Sequence, residues 1–482
     1  MHLEEMTYEA SIRVNIMKFV IILSITAIIT RCVMPSLSYS QYPMFMDMSS
    51  GESHILALAE DGTVWAWGDN SYGQCGIAVI NGSNDGYTVL MPARIDGLSS
   101  IKDISAGNCY SIALKDDGTV WVWGNNAGGI LGNGNIDKDQ HPDPIMVQGL
   151  TNVVSISAGD DYALALKDDG TVWAWGNNFF GRLGNGIPNG NGASWPLYMG
   201  TNPVKVNGLE KTVTIVAGPD NPLAITEDGS VYTWGYIPSF KYDNPWIPLT
   251  KVSIISKAKD AGCGSSNYIV LNEDGTIWTW GTNQNGEMGD GTQSPSDTPK
   301  QVDRIPGVKK ISAGKTHFVA LTENNEIYTW GYNNYGQLGD GSIKSKSRPV
   351  KISLSNIKEI EAGSFFTTAI DNDGSLWAWG DNSYGQLGDG KYGDKLREIS
   401  PIKIINNKNE SYGPSPIITP AATTHTTITS AIPTIPYYKQ DSDTYHDRLD
   451  ILQSISNNIL IIIMAVLTIV IAFVGLIIIK KK

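Results

Sequence analysis

Residues 373–390 read DGSLWAWGDNSYGQLGDG, and this stretch decides the fold. Asp-Gly opens it as a tight-turn dipeptide. SLWAWG then alternates in the manner of a half-buried strand, and a Gly/Asn-rich loop follows. Six earlier phrases match its centre: TVWAWG (63–68), TVWVWG (119–124), TVWAWG (171–176), SVYTWG (230–235), TIWTWG (276–281) and EIYTWG (326–331). Their closing glycines recur about every 50 residues, the signature of a repeat architecture.

The sixth unit, 308–352, shows what one repeat contains. VKKISAG (308–314) alternates and ends on small residues. HFVAL (317–321) is a second strand and IYTWG (327–331) a third, with a turn of TENNE between them. RPVKI (348–352) is a fourth strand, entered through a proline that an edge strand tolerates. Four short strands per unit, seven times over, predict an all-β fold: a seven-bladed β-propeller over 44–405. Trp67, Trp123, Trp175, Trp234, Trp280, Trp330 and Trp379 share one register, so they are expected to pack between blades rather than bind a ligand.

The formal net charge of −13 argues against non-specific nucleic-acid binding, because phosphates would be repelled. Four cysteines include no CxxC pair, and Cys75, Cys109 and Cys263 are expected to be plain buried or half-buried thiols. No cofactor or metal is expected.

Both flanks are apolar. Residues 1–40 read as a signal peptide or signal anchor: Arg13 and Lys18 precede an apolar run at 19–29, and small residues stand before Gln41. Residues 459–479 carry no charge and are followed by three lysines at 480–482. As a helix they would span about 30 Å, the thickness of a hydrocarbon core. The lysines favour the cytoplasmic side. A single-pass protein with its propeller outside the cell membrane is therefore expected. Residues 406–458 are rich in Thr, Ser and Pro and suit an extended stalk. Asn81 and Asn409 stand in N-glycosylation acceptor sequences.

AGxxHxxAL, DGxVWxWG and NxxGQLGxG together resemble the repeat of the regulator of chromosome condensation family. The first unit carries them as SGESHILAL (50–58), DGTVWAWG (61–68) and DNSYGQC (69–75). The resemblance implies a seven-bladed propeller. It is not specific for function: the founding member is a nuclear exchange factor for the small GTPase Ran and binds chromatin, while other relatives are fused to kinases, ubiquitin ligases or membrane anchors. This chain departs from the pattern in places. The His of AGxxH stands at His54 and His317 but becomes Tyr110, Tyr162 and Phe366, which points to a structural slot. Unit four has Pro219 and Pro222 near its second strand and lacks GQLG. Unit five is read as having extra residues after Gly262.

Chemistry is hard to find. Asp116, Asp117, Asp168, Asp169 and Asp228 sit at hairpin turns, and no GxSxG or HExxH occurs. The loops at 133–139, 289–292 and 339–342 offer oxygen atoms without EF-hand spacing. Aromatic residues in the loops after the third strands of units three and four break the repeat: Phe179, Phe180, Trp195, Tyr198, Tyr236, Phe240, Tyr242 and Trp246. They are the candidate ligand-binding residues. The expected function is a non-catalytic scaffold binding a surface protein or glycan, with no nucleic acid and with the membrane held through the C-terminal helix. The alternatives are an exchange-type regulatory factor, as the resemblance implies, and a surface carbohydrate-active enzyme.

Overall fold

The computed structural model describes residues 42–78, 87–186, 199–236 and 246–405. These form seven four-stranded antiparallel sheets, each built from four consecutive strands in simple meander order. Blade 1 consists of Phe45–Ser50, His54–Ala59, Val64–Asp69 and Thr88–Arg94. Blade 7 consists of Ile357–Ala362, Phe366–Asp371, Leu376–Asp381 and Arg397–Ile405. The predicted leader, stalk, membrane helix and terminal lysines, with Asn81 and Asn409, lie outside the described residues. Within them no helix is long and apolar enough to cross a membrane.

Three local devices recur through the blades. The Asp-Gly hairpin between the second and third strands is tied by its aspartate: Asp61 Oδ1 accepts from Thr63 N at 3.0 Å and Thr63 Oγ1 at 2.6 Å. The loop after the third strand is pinned by a buried asparagine. Asn70, Asn126, Asn178, Asn283, Asn333 and Asn382 each accept, through Oδ1, from the backbone N–H five residues on. That bond holds the next element of the design in place, the main-chain carbonyl at the Gln position of GQLG.

The carbonyl receives the indole of the following blade. Trp123 donates to Gln74 O at 2.8 Å, Trp175 to Ile130 O at 2.7 Å and Trp234 to Arg182 O at 2.8 Å. Trp330 donates to Glu287 O and Trp379 to Gln337 O. All seven register tryptophans are buried, as expected for joint residues. Two residues past the carbonyl, Gly184, Gly289, Gly339 and Gly388 leave room for the ring. At Gly339 (φ +68°) a Cβ would stand 2.6 Å from Trp379 Nε1.

Magnitudes rank the two effects. Burying an indole removes roughly 150–250 Å² from water, worth about 4–6 kcal/mol as an upper bound. Its hydrogen bond adds about 1 kcal/mol net. Packing therefore supplies most of the stability, and the bond fixes the register of blade on blade.

The ring closes without strand exchange, because every strand of blade 1 precedes every strand of blade 7. Phe45, Ile55 and Trp67 instead share one apolar cluster with Phe366, Leu376, Leu387 and Ile405. Trp67 Nε1 donates to Gln386 O at 3.0 Å, across 319 residues of chain.

Two readings need correction. Unit five has no extra residues. Its first strand runs Ala258–Cys263, and Gly264 takes the turn position, with Gly264 N donating to Asn267 O just as Gly314 N donates to His317 O. The alanine-glycine pair at 261–262 misled because Cys263 stands where alanine ends the other first strands. The fourth strand of blade 6 is Lys346–Lys351, beginning before Arg348 because Lys346 pairs with Gly331.

Trp175→Phe is expected to lower stability by about 2–4 kcal/mol, through lost contact and an orphaned carbonyl. Trp280→Phe, whose indole donates to no described acceptor, is expected to cost roughly 1 kcal/mol less. Denaturant midpoints of the two variants test this.

Candidate binding face

Strand direction alternates along each blade, so the first-to-second and third-to-fourth connections emerge on one face. At its centre the axial channel opens to the surface in a shallow pocket. Every blade contributes to its wall, which includes Gly51, Glu52, Asp160, Pro219, Cys263 and Lys315.

The mouth is acidic. Lys315 Nζ lies 2.7 Å from Glu52 Oε1 and 4.0 Å from Asp160 Oδ2. Burial, with the charges of Glu52, Asp161 and Asp220, lifts the Asp160 carboxyl to about 6 against the opposing pull of Lys315. Burial likewise raises Asp161. Burial pulls the Lys315 ammonium down, but Asp160 and Glu52 together outweigh it and leave it above its ordinary value. Four carboxylates thus surround two cations, Lys315 and the buried Arg182.

Two aromatic clusters flank the mouth. On blades 3 and 4, Phe179 and Phe180 meet edge to face at 4.3 Å, and Phe180 lies 4.6 Å from Tyr236. Phe179 is 47% exposed, a large apolar surface left in water. Phe180 holds φ +61°, a left-handed conformation uncommon for an aromatic residue. Arg182 fixes this turn. Its Nε donates to Phe179 O at 3.0 Å and its Nη2 to Asp220 Oδ1 at 2.6 Å. On blades 6 and 7, Phe365 lies 5.1 Å from Tyr335 and 6.0 Å from Tyr332.

The structure therefore brings together Phe179, Phe180 and Tyr236 of the predicted set. Trp195, Tyr198, Phe240 and Tyr242 lie outside the described residues. Trp246 opens the fourth strand of blade 4, in register with Tyr236; its side chain lies outside the description. Sequence reading missed Arg182, Asp220, the charges of the mouth and the cluster around Phe365. The available signals were Arg182 in place of the Gln of GQLG, and Phe365 beside Phe366 in a turn otherwise small or polar.

The AGxxH slot is structural. His54 Nε2 lies 2.9 Å from Ser111 Oγ, and Ser111 Oγ donates to Gln74 O, so the imidazole is the donor and is neutral. Burial depresses His54 and His317 to about 3. In Tyr110 and Tyr162 the phenol hydroxyl serves the same joint, donating to Tyr162 O and Gly218 O. His141 is bonded to Asp137 at 2.6 Å, and among the described residues no serine, threonine or cysteine is hydrogen-bonded to its ring.

The turn aspartates serve their hairpins: Asp117 and Asp169 accept from Thr119 and Thr171, which holds both below the usual carboxylate range. In the oxygen-rich loops Asp290 and Asp340 are turned onto Thr292 and Ser342 and paired with Lys300 and Lys346. Among the described residues no three acidic, histidine or cysteine side chains converge as a metal-binding set.

With this geometry in view, the chain can be placed among known proteins. An RCC1-like domain model matches residues 199–429. Models of the regulator of chromosome condensation (RCC1) repeat match 47–74, 101–130 and 153–182, and again 61–114, 117–166 and 169–225. The chain belongs to the RCC1 repeat family. It is 31% identical over 198 residues to the E3 ubiquitin-protein ligase HERC2 of Homo sapiens, covering 39% of this chain and 4% of that protein. It is 32% identical over 208 residues to protein pim1 of Schizosaccharomyces pombe, covering 40% of this chain and 37% of that one. The chain thus spans less than half the length of these relatives. Prp20p from Saccharomyces cerevisiae superposes with a TM-score of 0.60 at 21% identity, over 75% of this chain and 88% of that one. Its structure was described together with its binding to Gsp1p and histones. At this identity the likeness shows the fold.

One measurable consequence concerns the channel below the mouth. Burial lifts Glu361 to about 7, assisted by Asp47 and opposed by Lys310. A raised carboxyl binds its proton in the folded state at a pH where the unfolded chain has lost it. Its effect on stability is therefore absent below about pH 4.5, turns unfavourable as pH rises towards 7, and is complete above that. Glu361→Gln is expected to flatten the loss of thermal stability between pH 5 and pH 8, read as the difference in Tm from the unaltered chain.

Proposed function

We propose that this protein is a non-catalytic binding scaffold whose loop-bearing propeller face takes a protein partner. The observation that carries the reading is the exposed Phe179 ring, held on a rigid turn by Arg182 and Asp220 beside an acidic channel mouth. An aromatic residue on a fixed backbone loses little conformational freedom on contact, which makes it an effective anchor. The acidic mouth suits a partner presenting basic side chains. The family supports a protein ligand over a glycan, since the similar Prp20p is described as binding Gsp1p and histones. The uncharged run 459–479 and its three lysines support display of the propeller outside a membrane.

A second reading, regulation of a small GTPase, draws on the family resemblance and requires the propeller to face the cytosol. External protease on intact cells separates the two, because display outside predicts cleavage near 406–458 and release of a folded propeller.

Phe179→Ala is expected to weaken partner capture by about ten-fold or more, the range of an aromatic anchor, with little change in Tm because the ring is already exposed. Quantitative pull-down against surface extracts tests it, and unchanged capture removes this cluster from the interface.

A further inference from the structure

We infer that the joint between blades 4 and 5 is the seam at which the ring opens, on the loop-bearing face, with a hinge at the opposite face. Blade 4 consists of Thr212–Ala217, Pro222–Thr226, Val231–Tyr236 and Trp246–Lys251, and blade 5 begins with Ala258–Cys263. Two kinds of polar link hold all six other joints and are missing from this one, and a third holds only some joints of the ring.

The first is the indole-to-carbonyl bond, made at the six other joints. Among the described residues Trp280 Nε1 has no acceptor. The second joins neighbouring first strands, whose edges face the channel. A side-chain oxygen of one blade accepts from a backbone N–H of the next: Ser49 from Ala106, Ser105 from Ala158, Ser157 from Ala217 and Ser312 from Ala362. Glu361 accepts from Ser50, and Asp260 from Ile311, at the remaining two joints. Blade 4 has Thr214 and Val216 at these positions, and neither is bonded to blade 5. The third is the AGxxH slot. In blade 4 it holds Asn221, fully buried, where the His, Tyr and Phe of other blades stand. Tyr268 faces it from blade 5, its hydroxyl set against Asn221 and Thr233.

Near the mouth Cys263 Sγ is set against the Gly218 amide, and sulfur is a weak acceptor. At the opposite face the joint is intact. Ala258 N donates to Gly229 O at 3.1 Å, and Leu223, Ile225, Val231 and Val270 pack together. Buried polar groups without partners favour any motion that admits water to them. The joint is therefore loosest where the indole and first-strand links are missing and firmest at Gly229–Ala258.

Native-state amide exchange on the full-length chain tests this. Residues 258–263 are expected to exchange about ten-fold faster than the equivalent 101–106 and 153–158, as a locally opening unit does. Equal protection would overturn the inference. Val216→Ser supplies the missing acceptor for Cys263 N and is expected to slow both that exchange and alkylation of Cys263 by about five-fold, the effect of one net hydrogen bond. Alkylation of Cys75, buried in the joint of blades 1 and 2, serves as the internal control and should not change. An unaltered Cys263 rate in a folded Val216→Ser chain would also sink the idea. If that variant fails to fold, the exchange comparison in the unaltered chain decides alone.

Discussion

Six of the seven joints depend on an indole whose N–H lies on a carbonyl of the blade before. Neither partner is sufficient alone. The carbonyl is presented only because a buried asparagine, such as Asn333 bonding Leu338 N, closes the preceding loop into one shape. The indole reaches it only because the glycine beyond, such as Gly339, has no Cβ to obstruct the ring. Three residue types in one motif are therefore bound to one contact. A single blade has nothing to place its tryptophan against, which is why the units are stable only as a closed series.

A second constraint follows from closing the ring. The first strand of each blade is an edge strand, and its outward amides face a narrow channel rather than open water. Ser49, Ser105, Ser157 and Ser312 satisfy them with small hydroxyls that fit between crowded strands. Where a carboxylate takes the role instead, as Asp103 does in accepting from Ile156 N, negative charge is drawn into the channel. Asp103 is lifted by burial to about 7 as a result. The acidic character of the axis is thus partly a by-product of edge protection, and only the mouth, where Glu52 and Asp160 meet Lys315, presents it to a partner.

The fold was legible because the repeat writes the same physics seven times. The seven tryptophans, the strand order and the role of the AGxxH slot all follow from register and residue type. The glycine of unit five was misread because a local pair, 261–262, imitated the motif, whereas the structural position is set by the hairpin bond from Gly264 to Asn267. The candidate face was half legible. Phe179, Phe180 and Tyr236 stood out because they broke the pattern. Arg182 and Asp220 did not, since they are separated by most of a blade and meet only when blades 3 and 4 pack. Tyr332, Tyr335 and Phe365 were hidden for the same reason. Contacts within a unit can be read from spacing, but contacts between units require the ring.

Arg182 shows how one position serves both demands. The joint uses its main-chain carbonyl, which accepts from Trp234 whatever side chain the residue carries. Gln74, Ile130, Arg182, Glu287, Gln337 and Gln386 all occupy this place and all accept an indole. Because the load falls on the backbone, the side chain is released to do other work. In blade 3 that work is to lock the Phe179 turn and engage Asp220. A fold whose closure is a main-chain contract can change the chemistry of its loop-bearing face one blade at a time without loosening the ring, and this is the physical reason such propellers host unrelated functions.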